Sequence, residues 1–214
     1  MFETKNIVFI IVFLAASGFL VRSCYRLISY LKIAKKENRF DNIGERIKNV
    51  LTIAFAQTKL MRDPVPGIMH LLIFWGFVLF LFAVIEAIIQ GFYSNFDFSF
   101  LGPFFSLITI IQDVFGILII AAVITALYRR YIMKIPRLEV GKEGKLDATF
   151  ILMMILVVVL SMFGQSMSHI AKNDFILSSY EIRPISEPLS HLFFSGTAGA
   201  DLSFEIFWWI HILV

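Results

Sequence analysis

Four long apolar runs, each followed by a charged or polar stretch, constrain this 214-residue chain more than any other feature. They cover residues 6–31, 66–90, 103–128 and 148–170. A helix crosses ~30 Å of hydrocarbon with about 20 apolar residues, so each run is long enough to span a bilayer. Backbone groups in hydrocarbon must be satisfied within their own segment, which makes each run a helix. A fifth run begins at Phe204 and reaches Val214, about half a span. The expected class is therefore an all-α integral membrane bundle of five transmembrane helices, the last one truncated. On this reading residues 1–214 form a single membrane domain, and the half-span is expected to reflect a truncated piece, a broken gene or the membrane part of a longer protein. Composition agrees, with 58% hydrophobic residues against roughly 45–50% in soluble domains.

The basic residues set an orientation. Arg22 to Arg62 holds ten Lys and Arg, and Arg129 to Lys145 holds six. The opposite side has only Lys5, Lys172 and Arg183. Cytoplasmic loops carry such an excess, so the expectation is a multi-pass chain with its N-terminus outside and both basic linkers in the cytoplasm. Arg22 and Arg26 fall in the last third of the first run and reach the interface by snorkelling. Arg22 also interrupts the place where a signal peptide would carry its cleavage site.

The 32–63 linker carries Lys35, Lys36, Arg39, Arg46 and Lys48. Within it Ile43, Ile47, Val50, Leu51, Ala54 and Phe55 recur at helical spacing, which predicts an amphipathic helix on the membrane surface. Lipid headgroups are the expected partner of these charges, and nucleic acid is not implied. The 172–203 segment is an outer loop, with a short surface helix suggested around Pro188-Leu-Ser-His-Leu-Phe-Phe194. One cysteine, Cys24, excludes an internal disulfide and an internal four-thiolate iron–sulfur cluster. The reading of Cys24 itself is a lipid-facing or packed residue.

Four histidines carry the chemical interest. His70 follows Asp63-Pro-Val-Pro-Gly-Ile-Met, where Asp63 suits a helix cap and the prolines suit a first turn. Gly67, His70, Phe74, Phe77 and Leu81 share one helical face. An imidazole beside a glycine gap and aromatic neighbours suits a flat iron macrocycle. His70 lies ~6 Å inside from the cytoplasmic end, and His211 ~10 Å in from the outer end, at ~1.5 Å per residue. His211 stands beside Trp208 and Trp209 inside hydrocarbon, where ionisable side chains are costly and usually functional. His169 falls at the outer end of the fourth run and His191 in the outer loop. Bis-histidine ligation of b haem needs two imidazoles from different segments. His211 has His169 or His191 as outer partners, whereas His70 needs a residue beyond Val214. One or two haems follow, with His70 and His211 as first candidates for the iron, then His169 and His191. Packing and solvation remain alternatives for each.

Two carboxylates also stand out. Asp113 sits within the third run, and two readings stay open for it: a proton relay to a quinol or an orienting partner of a histidine, or a helix-packing hydrogen bond. Glu86 is read as interfacial. Arg62, Arg129 and Arg130 are candidates to pair with haem propionates or lipid phosphates.

Taken together, Arg62…Gly67-Ile-Met-His70 with Phe74-Trp-Gly-Phe77, the Asp113…Gly116 helix ending in Tyr128-Arg-Arg, and Phe207-Trp-Trp-Ile-His211 carry a resemblance. The chain resembles the N-terminal membrane domain of bacterial heterodisulfide-reductase-like iron–sulfur oxidoreductases. That domain is similar to the nitrate reductase gamma subunit, a b-type cytochrome. The resemblance implies haem-ligating histidines on the second and fifth helices, matched by His70 and His211. The gamma subunit has a further histidine along its second helix, where this chain has Phe80-Leu81. The resemblance also implies a later histidine to pair with His70, and a cysteine-rich cytoplasmic domain holding iron–sulfur clusters.

The expected function is a membrane-embedded b-type cytochrome domain that passes electrons between the quinone pool and iron–sulfur clusters on a missing domain or partner subunit. A membrane anchor or sensor input domain without haem explains the topology but gives the histidines no role. A small transporter calls for inverted repeats and broken helices, and neither is evident.

Overall fold

The computed structural model describes residues 4–35, 37, 40–94, 96–138, 141–177 and 179–214. Lys36 and Arg39 of the basic linker lie outside the described residues. The described chain is helical, with no strand among those residues: α1 (Thr4–Leu31), α2 (Ile43–Asn49), α3 (Pro64–Phe92), α4 (Pro103–Tyr131), α5 (Gly141–Lys172), α6 (Ser186–Phe193) and α7 (Ala200–Leu213). Four of these, α1, α3, α4 and α5, are long and apolar enough to cross a membrane. At 14 residues, α7 is ~21 Å long, shorter than the hydrocarbon layer.

Several ends differ from the apolar runs. α5 begins at Gly141, where the run begins at 148, because Lys142, Glu143 and Lys145 wind into the same helix. Charged residues of high helix propensity extend a helix into water without any apolar signal. α7 begins at Ala200, one residue after Gly199 at φ 78°, rather than at Phe204. The amphipathic stretch is α-helical only to Asn49 and continues as a π-wound turn over Val50–Phe55.

The chain divides into two compact units. The first comprises Met1–Thr58 and Ile85–Asp97. Its contacts include a cluster at the N-terminal end of α1. Asn6 Nδ2 donates to Gly91 O at 2.9 Å and to Ser94 Oγ at 3.2 Å. The Phe9 ring fills the notch at Gly91, where any Cβ would stand 2.4 Å from it. Phe9 and Phe13 each meet Phe92 edge-on, at 5.3 and 5.5 Å. Asn6 and Phe9 are the only buried residues of α1. The apolar side chains Ile43, Ile47, Val50 and Leu51 are all exposed.

The second unit comprises Lys59–Val84 and Phe98–Val214. Its core is Phe80 of α3, Ile119 and Val123 of α4, and Val159, Met162 and Phe163 of α5. Glycines allow the close approach. A Cβ on Gly76 would meet Ile119 Cδ1 at 2.3 Å, and one on Gly116 would meet Phe163 at 2.6 Å. On the basic side of the unit, Asp63 accepts Gly67 N at 2.9 Å through its carbonyl while its carboxylate pairs with Arg137. Asp63 thus opens α3 through its backbone and ties two linkers together through its side chain.

Candidate functional site

α5 and α7 run antiparallel in a register that can be read contact by contact. Lys172 Nζ lies 3.6 Å from Asp201 and 4.7 Å above the Phe204 ring. The His169 ring is 5.9 Å from the Phe204 ring. Gly164 receives Phe207, whose Cγ would be 2.4 Å from any Cβ placed there. Ser161 Oγ is 3.0 Å from His211 Nδ1, and Val158 O is 3.2 Å from the same nitrogen. Small residues every three or four positions let two helices approach inside an apolar layer, where packing and hydrogen bonds replace the hydrophobic drive. Trp208, one turn before His211, is fully buried on this seam.

The His211 contacts have a chemical consequence. A carbonyl oxygen only accepts, so the Val158 contact is a hydrogen bond in the tautomer of the neutral imidazole that carries its proton on Nδ1. Nε2 then carries the free lone pair. Ligating histidines usually have this arrangement, with the far ring nitrogen donating to a backbone carbonyl or carboxylate. The residues at His211 therefore fit an iron ligand on one side of a macrocycle.

The remaining candidates are placed elsewhere. His169 Nε2 is 3.2 Å from Asn173 Nδ2, and His169 lies two turns beyond Ser161, ~12 Å along α5. His191 stacks on Phe175 with ring centres 4.4 Å apart and is exposed. The structure thus brings neither to the level of His211 on α5. His70 is exposed on α3, on the same side as Phe77 and Leu81 and turned away from the Gly76–Phe80 core stripe. The glycine gap expected beside it is filled by the chain itself. A Cβ on Gly67 would stand 2.7 Å from Leu60 O, because the 3-10 turn Leu60–Arg62 folds back onto α3. Among the described residues no three His, Cys, Asp or Glu gather as a metal cluster.

Asp113 is fully buried and holds the loop before α6. Its carboxylate accepts Ile185 N at 2.6 Å, Ser186 N at 2.8 Å and the Ser186 hydroxyl. One and two turns earlier on α4, Thr109 Oγ1 accepts Ile182 N at 3.1 Å and Ser106 Oγ donates to Tyr180 O at 2.6 Å. These bonds make Asp113 the end of a polar stripe that fastens residues 180–186 to α4. Fixed donors engage both its oxygens, which favours the packing reading over a proton relay. Beside it, Arg183 and Glu181 form a buried ion pair at 2.5 Å. Glu86 is partly buried, Cys24 and Arg62 are exposed, and Arg129 and Arg130 are partly buried at the end of α4.

Sequence reasoning missed Ser161, Val158 and Ser186. A serine amid the apolar run Val157-Val-Val-Leu-Ser161 was the visible signal for the first, and backbone carbonyls leave no signal at all.

The fold is all-helical among the described residues, with four helices long and apolar enough to cross a membrane and one histidine, His211, held through Nδ1 between α5 and α7. Two bacterial proteins are similar in sequence. One is the "Probable iron-sulfur-binding oxidoreductase FadF" of Bacillus subtilis, 35% identical over 187 residues, covering 87% of this chain and 26% of that protein. The other is the "EtfAB:quinone oxidoreductase" of Syntrophomonas wolfei, 27% identical over 217 residues, covering 97% of this chain and 30% of that protein. Both are oxidoreductases by name, and this chain spans less than a third of either. No family model matches the chain. No solved structure matches it.

Proposed function

We propose that this chain is a b-type cytochrome domain of the bacterial cytoplasmic membrane, with its N-terminus outside. It passes electrons between the quinone pool and iron–sulfur clusters held by a further domain or a partner subunit. The observation that carries the reading is His211 Nδ1 against the Val158 carbonyl, which leaves Nε2 free within an apolar helix pair. The names of the two similar proteins, one iron–sulfur-binding and one acting on quinone, support the electron route. The resemblance to the nitrate reductase gamma subunit supports the b haem.

In this reading the chain's own residues do three things. Val158 O and Ser161 Oγ hold the imidazole edge of His211 against α5. Phe207 and Trp208 exclude water from the turn before it. Asp113 holds the outer loop on α4 so that α6 stays in place. Haem, when bound, supplies one-electron transfer at a potential set by axial ligands and their hydrogen bonds. A second ligand would have to come from another segment; His169 and His191, the sequence's candidates, lie away from the level of His211. His70 is the candidate for a second, inner haem.

The test is a reduced-minus-oxidised visible spectrum with a pyridine haemochrome count on the purified membrane protein. A b-type band that disappears in His211→Ala supports the reading. A haem-replete preparation without any band overturns it and leaves the anchor or sensor reading standing.

A further inference from the structure

The hydrogen-bond inventory around His211 goes one step further, and it rests on the haem reading above. A serine hydroxyl has one proton to donate and lone pairs to accept with. Ser161 Oγ donates to Val158 O at 2.8 Å, within its own helix. With its proton on that carbonyl, its oxygen faces His211 Nδ1 at 3.0 Å as an acceptor. Val158 O faces the same nitrogen at 3.2 Å and also only accepts. Two acceptors thus converge on one ring nitrogen, and Ser161 supplies the shorter contact. A histidine meeting a single carbonyl can swing or exchange its proton between nitrogens. One that sits in a notch between a carbonyl and a hydroxyl already tied to that carbonyl has one tautomer and one ring orientation.

We propose that Ser161 is a positioning residue for the iron ligand: it fixes the Nδ1–H tautomer of His211 and, through that bond, sets the ligand's basicity and the haem potential. A stronger acceptor on Nδ1–H pushes electron density toward Nε2 and stabilises the oxidised iron. Removing the Ser161 oxygen leaves only the longer carbonyl bond. The potential then rises, and haem is held less tightly.

The experiment compares wild type, Ser161→Ala and Ser161→Thr in the full membrane protein. Threonine keeps a hydroxyl able to bond back to its own helix. Potentiometric titration of the b-type band is the first readout. In Ser161→Ala the band persists, the midpoint potential rises, and haem affinity falls by about tenfold, the lower end for losing such a partner. Ser161→Thr returns both toward wild type. The second readout needs no haem: nitrogen NMR of histidine-labelled, haem-free protein in bilayers, with the His211 signal identified by its loss in His211→Asn. The expected species is Nδ1–H in wild type and a tautomer mixture in Ser161→Ala. A band present with the same potential in all three proteins overturns this proposal alone. So does an Nε2–H tautomer in the haem-free wild type. A wild type with no b-type band overturns the haem reading and this proposal together.

Discussion

His211 and His70 both stand beside tryptophans and phenylalanines in apolar helices, yet the fold treats them differently. His211 faces another helix, and its Nδ1 meets two acceptors on α5 at 3.0 and 3.2 Å. His70 is exposed, and the glycine beside it accommodates Leu60 rather than an open space. The difference lies in the neighbouring helix, whose Val158 carbonyl and Ser161 hydroxyl both meet the Nδ1 of His211. Aromatic flanks do not accomplish this. They wall a site, but they do not choose a tautomer.

The largest expected effect separates the two histidines directly. In this chain, His211→Ala abolishes the b-type band, whereas His70→Ala leaves it intact, as read by difference spectra of matched preparations. The reverse outcome would make the exposed histidine the ligand and break the comparison. Asp113→Ala comes next. It strands the amides of Ile185 and Ser186 and the Ser186 hydroxyl in a buried place. Each stranded group costs ~1–3 kcal/mol, so destabilisation of about 3 kcal/mol or more and early protease cleavage near residues 180–186 are expected. Full loss of quinol-linked turnover with wild-type protease resistance and thermal stability would instead point to the proton-relay reading. Gly164→Leu forces a side chain into the space of the Phe207 ring, at a cost of ~1–3 kcal/mol by overpacking. A lowered unfolding temperature together with a weakened band would place the effect on the α5–α7 register, while His70 surroundings stay unchanged. The smallest effect belongs to Lys172→Ala. Its partner Asp201 is 85% exposed, so the ion pair is worth well under ~1 kcal/mol. Thermal stability within experimental scatter of wild type is the expected reading.

Much of the helical framework was legible in the sequence because it follows from local properties. Each long apolar run is a helix, since neither length nor hydropathy depends on what the run packs against. Helix ends were less legible. The Gly141–Asp147 extension of α5 is polar and carried by propensity alone, and the start of α7 depends on the left-handed turn at Gly199. The π-wound stretch Val50–Phe55 keeps apolar residues in sequence but not the simple face that 3.6-residue spacing would give them. At the site, His211 was visible as an intramembrane ionisable residue. Its partner was not, because Val158 contributes a backbone oxygen that every residue possesses.

Asp113 shows the same limit from the other side. A carboxylate in an apolar run announces that something must compensate its burial. Whether that is a substrate, a histidine or a loop depends on residues seventy positions later, and Ile185 and Ser186 carry no mark of the role in sequence.

By itself, then, the sequence determined that this chain builds apolar helices long enough for a bilayer, that its basic residues are segregated between alternate loops, and that an ionisable ring lies deep in the last run. Those are sums over neighbouring residues. Only the tertiary structure decided which groups of α5 meet His211 Nδ1, and what Asp113 fastens. Such outcomes turn on contacts of about 3 Å between helices far apart in the chain. Their register is chosen by the Gly164–Phe207 fit and the small residues along α5.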